Sequence, residues 1–168
     1  IIIFVAVFSK KAMAYSLDSG VEHEIWQSTF KLTPQRSAKD YPAGVIVPLL
    51  LSLIALGKLK FLALLTYEAR ALKHRAAKRF GYYSYTELTD WHNGLIGAAG
   101  IFSLLLLTII AYLTGYEYLA KITTFYVFWN LLPISKLDGT QIFFGSKVLY
   151  SILAIVTLIF TSYSLFLV

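Results

Sequence analysis

From Asn93 to Leu113 the chain carries no charged residue, and the stretch from Lys147 to Val168 is charged only at its first position. A helix needs about 20 apolar residues to cross the roughly 30 Å hydrocarbon core of a bilayer, and runs of this kind are the strongest single-sequence sign of a membrane span. Composition points the same way. The 168 residues are 58% hydrophobic and only 14% charged, with a mean hydropathy of +0.68; soluble domains carry about a quarter charged residues. The expected fold is an all-α polytopic membrane protein, with about four transmembrane or re-entrant helices, the end of a truncated first helix and a small interfacial β-hairpin. The expected location is the membrane, in several passes.

One membrane domain covers 1–168 on this reading, in three stretches. Residues 1–11 are the end of a truncated helix, because Ile1–Phe8 is apolar but too short to span. Residues 12–41 form an interfacial hairpin and linker. Within them Ala14–Phe30 reads as extended around the turn signal Asp18-Ser19-Gly20, and Lys31–Asp40 is polar with Pro34. Residues 42–168 are the helical core. Its first run, Ala43–Leu65, is either one span with a basic end or a re-entrant helix followed by an interfacial one. Glu68–Arg79 is expected as a basic amphipathic helix, and Tyr118–Leu132 as a shorter aromatic helix ended by Pro133.

Charge and cysteine content narrow the function classes. Lys58, Lys60, Arg70, Lys73, Arg75, Lys78 and Arg79 face only Glu68 as a counter-charge in their stretch. Between apolar spans, such a cluster reads as a positive-inside signal against anionic headgroups rather than a nucleic-acid surface. The expected partner is therefore the lipid bilayer, with no nucleic acid. The chain has no cysteine, which removes disulfides, thiolate metal ligands and cysteine nucleophiles together.

Against this apolar background stands Asn130-Leu-Leu-Pro133-Ile-Ser-Lys-Leu-Asp138-Gly139. A carboxylate and an amide at membrane depth cost several kcal/mol unless compensated, so both are functional candidates. A purely structural reading stands beside the functional one. Asp138 and Gln141 have the spacing of a helix capping box, and Asn130 can satisfy backbone groups freed by Pro133. Gly94, Gly97, Ala98, Ala99, Gly100 and Ser103 give the preceding span a small-residue face for close helix packing.

The pattern Asn-x-x-Pro-x-x-x-x-Asp-Gly between two membrane helices resembles the second signature of the site-2 protease family of intramembrane zinc metalloproteases. The matching positions are Asn130, Pro133, Asp138 and Gly139, and the resemblance implies that Asp138 stands where the family has its third zinc ligand. Gly100 falls where the family has a Gly-Pro pair, with Ile101 in place of the Pro. Lys11-Ala-Met-Ala14-Tyr15, followed by the Asp18-Ser19-Gly20 turn, is similar to the family's passage from its zinc helix into a membrane-associated hairpin. That register sets Ala6, Val7 and Lys10 at the His, Glu and His positions of His-Glu-x-x-His. The two imidazole ligands and the general-base Glu are then missing.

A catalytic zinc site needs about three protein ligands and an open water position, and one carboxylate alone does not supply them. The resemblance therefore implies a divergent, pseudoenzyme-like member with a lapsed metal site. No cofactor is expected, and the implied activity is binding membrane-embedded peptide segments of other proteins without cleaving them. Two alternatives accompany this expectation. One is an active zinc endopeptidase with its His-Glu-x-x-His upstream of Ile1; the other is a structural membrane subunit. The near-match His23-Glu24-Ile25-Trp26-Gln27 lacks the second imidazole and reads as a polar strand edge, and His74 and His92 read as interfacial polar residues.

Overall fold

A computed structural model of the chain describes residues 1–30, 39–54, 65–72 and 88–166. Among these lie six helices and four short strands. In chain order they are α1 (Ile2–Ser16), β1 (Ser19–Ile25), β2 (Ser28–Phe30), β3 (Lys39–Tyr41), α2 (Ala43–Ile54), β4 (Leu65–Ala71), α3 (Asp90–Leu113), α4 (Glu117–Leu131), α5 (Asp138–Gly145) and α6 (Lys147–Phe166). The protein is mostly helical with a small antiparallel sheet component. Two helices, Asp90–Leu113 and Lys147–Leu165, are long and apolar enough to cross a membrane.

Those two helices occupy different places. Of the most apolar window of α3, 56% is buried inside the protein, against 22% for α6. α3 is thus the central post and α6 an outer one. α1, α4 and α5 pack on α3, and the main core joins Ala6 of α1, Ile101 and Leu104 of α3, Val127 and Leu131 of α4, Ile142 of α5 and Leu153 of α6. Measured from water, each fully buried Ile contributes about 1.5–3 kcal/mol. In a lipid surround the same burial would gain only packing, and close approach would then have to supply the cohesion.

Small residues on α3 provide that approach, but each admits a different partner. A Cβ on Gly94 would lie 3.1 Å from the Cα of Gly145, so there two helix backbones meet. One turn on, a Cβ at Gly97 would come within 2.7 Å of the Tyr67 hydroxyl, and at Gly100 within 2.6 Å of Lys10 Cε. The expected small-residue face exists, therefore, and two of its three glycines make room for side chains rather than for a helix. α1 answers with the stripe Ala6, Lys10 and Ala14, all buried and spaced four apart. A hydrogen bond from Ser103 Oγ to Ser9 Oγ (2.8 Å) fixes its height against α3.

α4 ends where Pro133 requires it. Leu132 takes an extended conformation (φ −61°, ψ 133°), as the residue before a proline does. The turn that follows is held by Ile134 N–H to the Leu132 carbonyl and Leu137 N–H to the Ile134 carbonyl. Trp26 Nε1 donates to Ser135 Oγ at 3.1 Å, and Trp26 with Leu137 forms a second apolar cluster against Val47, Leu51 and Trp129. The turn is pinned from outside by the segment after β1.

Several expectations need correction. The first helix continues to Ser16, so Ala14–Ser16 is helical, not extended. Asp18, with φ 51°, is the left-handed residue after that helix rather than the tip of a hairpin. β1 pairs antiparallel with β4 across the chain, from Ser19 opposite Ala71 to Ile25 opposite Leu65. A long-range partner thus replaces the local one.

The same pairing overrides the helix expected from Glu68, since residues through Ala71 are strand. Their alternation of covered Tyr67 and Ala69 with exposed Glu68 and Arg70 has a period of two. Residues 73–87, including His74 and the rest of that expected helix, lie outside the described residues. On either side of residues 31–38, which lie outside the described residues, β2 and β3 pair as a second two-stranded sheet. α2 is described over Ala43–Ile54; residues 55–64 of the expected Ala43–Leu65 run lie outside the described residues, and by Leu65 the chain is in β4.

Gly139 starts α5 directly beneath the end of α4, where a Cβ would collide with the carbonyl of Leu131. Backbone cannot step aside as a side chain can. Gly139→Ala is expected to destabilise the protein by about 2 kcal/mol or more, whereas Gly20→Ala meets ordinary contacts at 3.6 Å and is expected to be mild. Thermal unfolding of both variants in detergent checks this, and equal melting temperatures would contradict it.

Candidate functional site

Four elements meet around one charge pair. Lys10, from the buried stripe of α1, reaches Asp138 at the start of α5, with Nζ 2.6 Å from Oδ2; the two side chains are 5% and 4% exposed. The lysine stem crosses α3 at Gly100, the position without a side chain to block it. Its ammonium also lies 4.6 Å from the centre of the Tyr67 ring, on β4. Tyr67 is in turn locked: its hydroxyl donates to the Asn93 carbonyl at 2.5 Å, and its own carbonyl accepts from Gln141 Nε2 at 2.9 Å.

This arrangement replaces the capping box. Leu137 is the N-cap of α5, with no side-chain capping bond, and Asp138 is the first helical residue. Its carboxylate still profits from the helix N-terminus, but its direct partner is Lys10. Gln141 is spent on the sheet, tying β4 to α5. Asn130 is 1% exposed and donates Nδ2 to the Tyr126 carbonyl at 2.8 Å, one turn back in its own helix. Among the described residues Asn130 Oδ1 and Asp138 Oδ1 are buried acceptors without a hydrogen-bond donor.

Of the predicted site residues, Asn130, Pro133, Asp138 and Gly139 thus share one turn and its two flanking helices. Ala6 and Lys10 lie on the buried stripe of α1, and Val7 is half-buried beside it. Gly100 adjoins Lys10. His23 does not join Asp138. It stands in β1 opposite Tyr67, and both ring nitrogens are buried without a hydrogen-bond partner among the described residues. Burial, followed by the charges of Lys10 and Lys11, lowers its pKa to about 4. His92 hydrogen-bonds Thr89 at the start of α3.

The donor set described around Asp138 does not fit zinc. Among the described residues no three His, Asp or Glu side chains gather to hold a metal. Positively, an ammonium already sits on the only carboxylate of the turn. The carboxylate's charge is thereby already balanced, and a divalent ion could take it as a ligand only by displacing the ammonium. Tyr67, the bond of Gln141 to β4 and the pairing role of Lys10 are not legible in the sequence, since each depends on the β1–β4 register or on α1 docking against α3. The one available signal is a lysine four residues after Ala6 and four before Ala14 on an otherwise small, apolar stripe.

In comparisons with protein-family models, with curated proteins and with solved structures, nothing matches the chain.

Two outcomes follow from this geometry. Removing one partner of a buried pair strands the other, so Lys10→Met and Asp138→Asn are each expected to cost about 3–5 kcal/mol, and the double variant less than their sum. A double-mutant cycle read by denaturant unfolding would show additivity if the pair were not coupled. For His23, the folded state resists protonation that the unfolded chain accepts near its ordinary pKa of 6.5. Its contribution is intact above that value and is lost as pH falls from about 6.5 toward about 4. In His23→Gln the stability profile across this window is expected to be flatter.

Proposed function

We propose that the chain is a site-2-protease-like, multi-pass membrane protein in which an internal ion pair replaces the zinc site. On this reading it binds membrane-embedded peptide segments without cleaving them. The observation that carries the proposal is the Lys10–Asp138 pair, because its two members are the second His position and the Asp position of the family pattern. Two charged side chains 128 positions apart in sequence, Lys10 and Asp138, are brought to 2.6 Å in a buried setting. Gly100 beside Lys10, and Asn130 and Gly139 around the Asp138 turn, support the same register.

The chemistry agrees with binding. A protonated lysine supplies positive charge but no metal-bound water, and Ala6 and Val7 supply neither ligand nor general base. β1 and β4 each keep an outer edge that is not paired among the described residues. Such edges accept an extended peptide by strand addition, next to the turn that holds the ion pair. The membrane part of the proposal rests on the two long apolar helices together with the composition. No nucleic-acid partner is part of this reading.

The test uses the purified protein in lipid nanodiscs with a transmembrane peptide carrying a helix-breaking Asn-Pro pair and a photo-crosslinker. The expected result is an intact crosslinked peptide, unaffected by chelator, and more of it than with a polyleucine control. Chelator-sensitive cleavage would favour an active zinc peptidase, and equal labelling of both peptides a structural subunit; either outcome overturns the proposal. A reconstruction tests the register itself. Ala6→His, Val7→Glu and Lys10→His together are expected to confer about one equivalent of zinc, the stoichiometry of a three-ligand site with Asp138. Failure of the folded triple variant to take up zinc would sink the register.

A further inference from the structure

Away from the ion pair, the end of α3, the first turns of α4 and the last turns of α6 line a half-open cavity of about 310 Å³. Its walls are hydrocarbon, with Leu113, Ile159 and Phe160 among them. The hydroxyls of Thr108 and Thr124, which also line it, are turned back onto the Leu104 and Ala120 carbonyls and so present little polarity. Polar groups gather where α3 turns into α4. Tyr112 and Tyr163 join their hydroxyls at 2.7 Å with rings edge-to-face at 5.7 Å, and Glu117 and Lys121 follow one helical turn apart.

We propose that this cavity binds one acyl chain of a zwitterionic glycerophospholipid, with the headgroup ammonium toward Glu117 and the tyrosine pair and the phosphate toward Lys121. Two features select the occupant. The cavity has the volume of a small ligand site, whereas a helix with its side chains is about 10 Å across and too wide to enter. One acidic and one basic side chain at the same mouth complement a headgroup bearing both charges; a net anionic lipid would bring its charge to Glu117 as well as to Lys121. Paired tyrosine faces add attraction for an ammonium group. The position at the end of a long apolar helix is the depth at which tyrosines meet headgroups. This inference rests on the membrane reading and is independent of peptide capture and of the metal-site register.

The test adds dioleoyl phosphatidylcholine, phosphatidylethanolamine or phosphatidylglycerol, one at a time, to delipidated protein in detergent. Retention is read by native mass spectrometry. The expected result is one zwitterionic lipid per chain, retained about fivefold better than phosphatidylglycerol, the scale of one exposed charge contact. Glu117→Lys is expected to reverse that preference. Ala120→Phe, which fills the cavity, is expected to abolish retention; should it fail to fold, Leu113→Trp at the exposed rim serves in its place. Equal retention of all three lipids, no retention of any, or undiminished retention in the filled variant would overturn the proposal. Peptide capture in nanodiscs should be unchanged in Glu117→Lys, which separates failure here from failure of the capture reading.

Discussion

A lysine ammonium and an aspartate carboxylate, 2.6 Å apart and almost wholly shielded from solvent, set the terms for the rest of this fold. Either charge alone at that depth would cost several kcal/mol. Each surrounding choice follows from keeping them together. α3 gives up a side chain at Gly100 so that the lysine can cross it, and another at Gly97 so that Tyr67 can cover the ammonium. Asn93 and Gln141 then hold Tyr67 by its two ends. Four chain segments, α1, α3, β4 and α5, are thereby tied at one point.

The pair also explains why a short sheet accompanies a helical bundle. β1 follows α1 directly after the left-handed residue Asp18, and β4 brings in Tyr67 from nearly fifty residues away. Without that long-range pairing the ammonium would have only the carboxylate for company. On the proposed reading, the protein has exchanged a metal's charge for a side chain's. The exchange preserves the electrostatic tie between α1 and α5 and gives up the ligand water on which hydrolysis depends.

Much of this was legible in the chain. The apolar runs mark α3 and α6, Pro133 ends α4 at Leu131, and the Asn130–Gly139 pattern points to the turn that carries the buried carboxylate. The expected capping box at Asp138 and Gln141 was not found, because capping is a local possibility and both side chains have stronger partners elsewhere. Over Glu68–Ala71 the expected helix gives way to strand for a similar reason. Its first residues alternate with a period of two, a pattern too short to outweigh the neighbouring basic residues until β1 is known to lie alongside. His23, read as a polar edge, is instead a half-buried ring facing lysines that lower its pKa to about 4.

What the sequence determined by itself is set by period and composition: which stretches are long apolar helices, where proline breaks one, and which polar residues stand out against hydrocarbon. Those properties depend on residues within a few positions of each other, so a linear reading reaches them. Only the tertiary structure decided that Lys10 is the partner of Asp138, that Tyr67 covers the ammonium, and that two glycines of α3 serve side chains rather than a helix. These contacts join positions up to 128 residues apart, as the numbers of Lys10 and Asp138 give. No local rule contains them, because they exist only once α1 and the β1–β4 sheet have docked against the same face of α3.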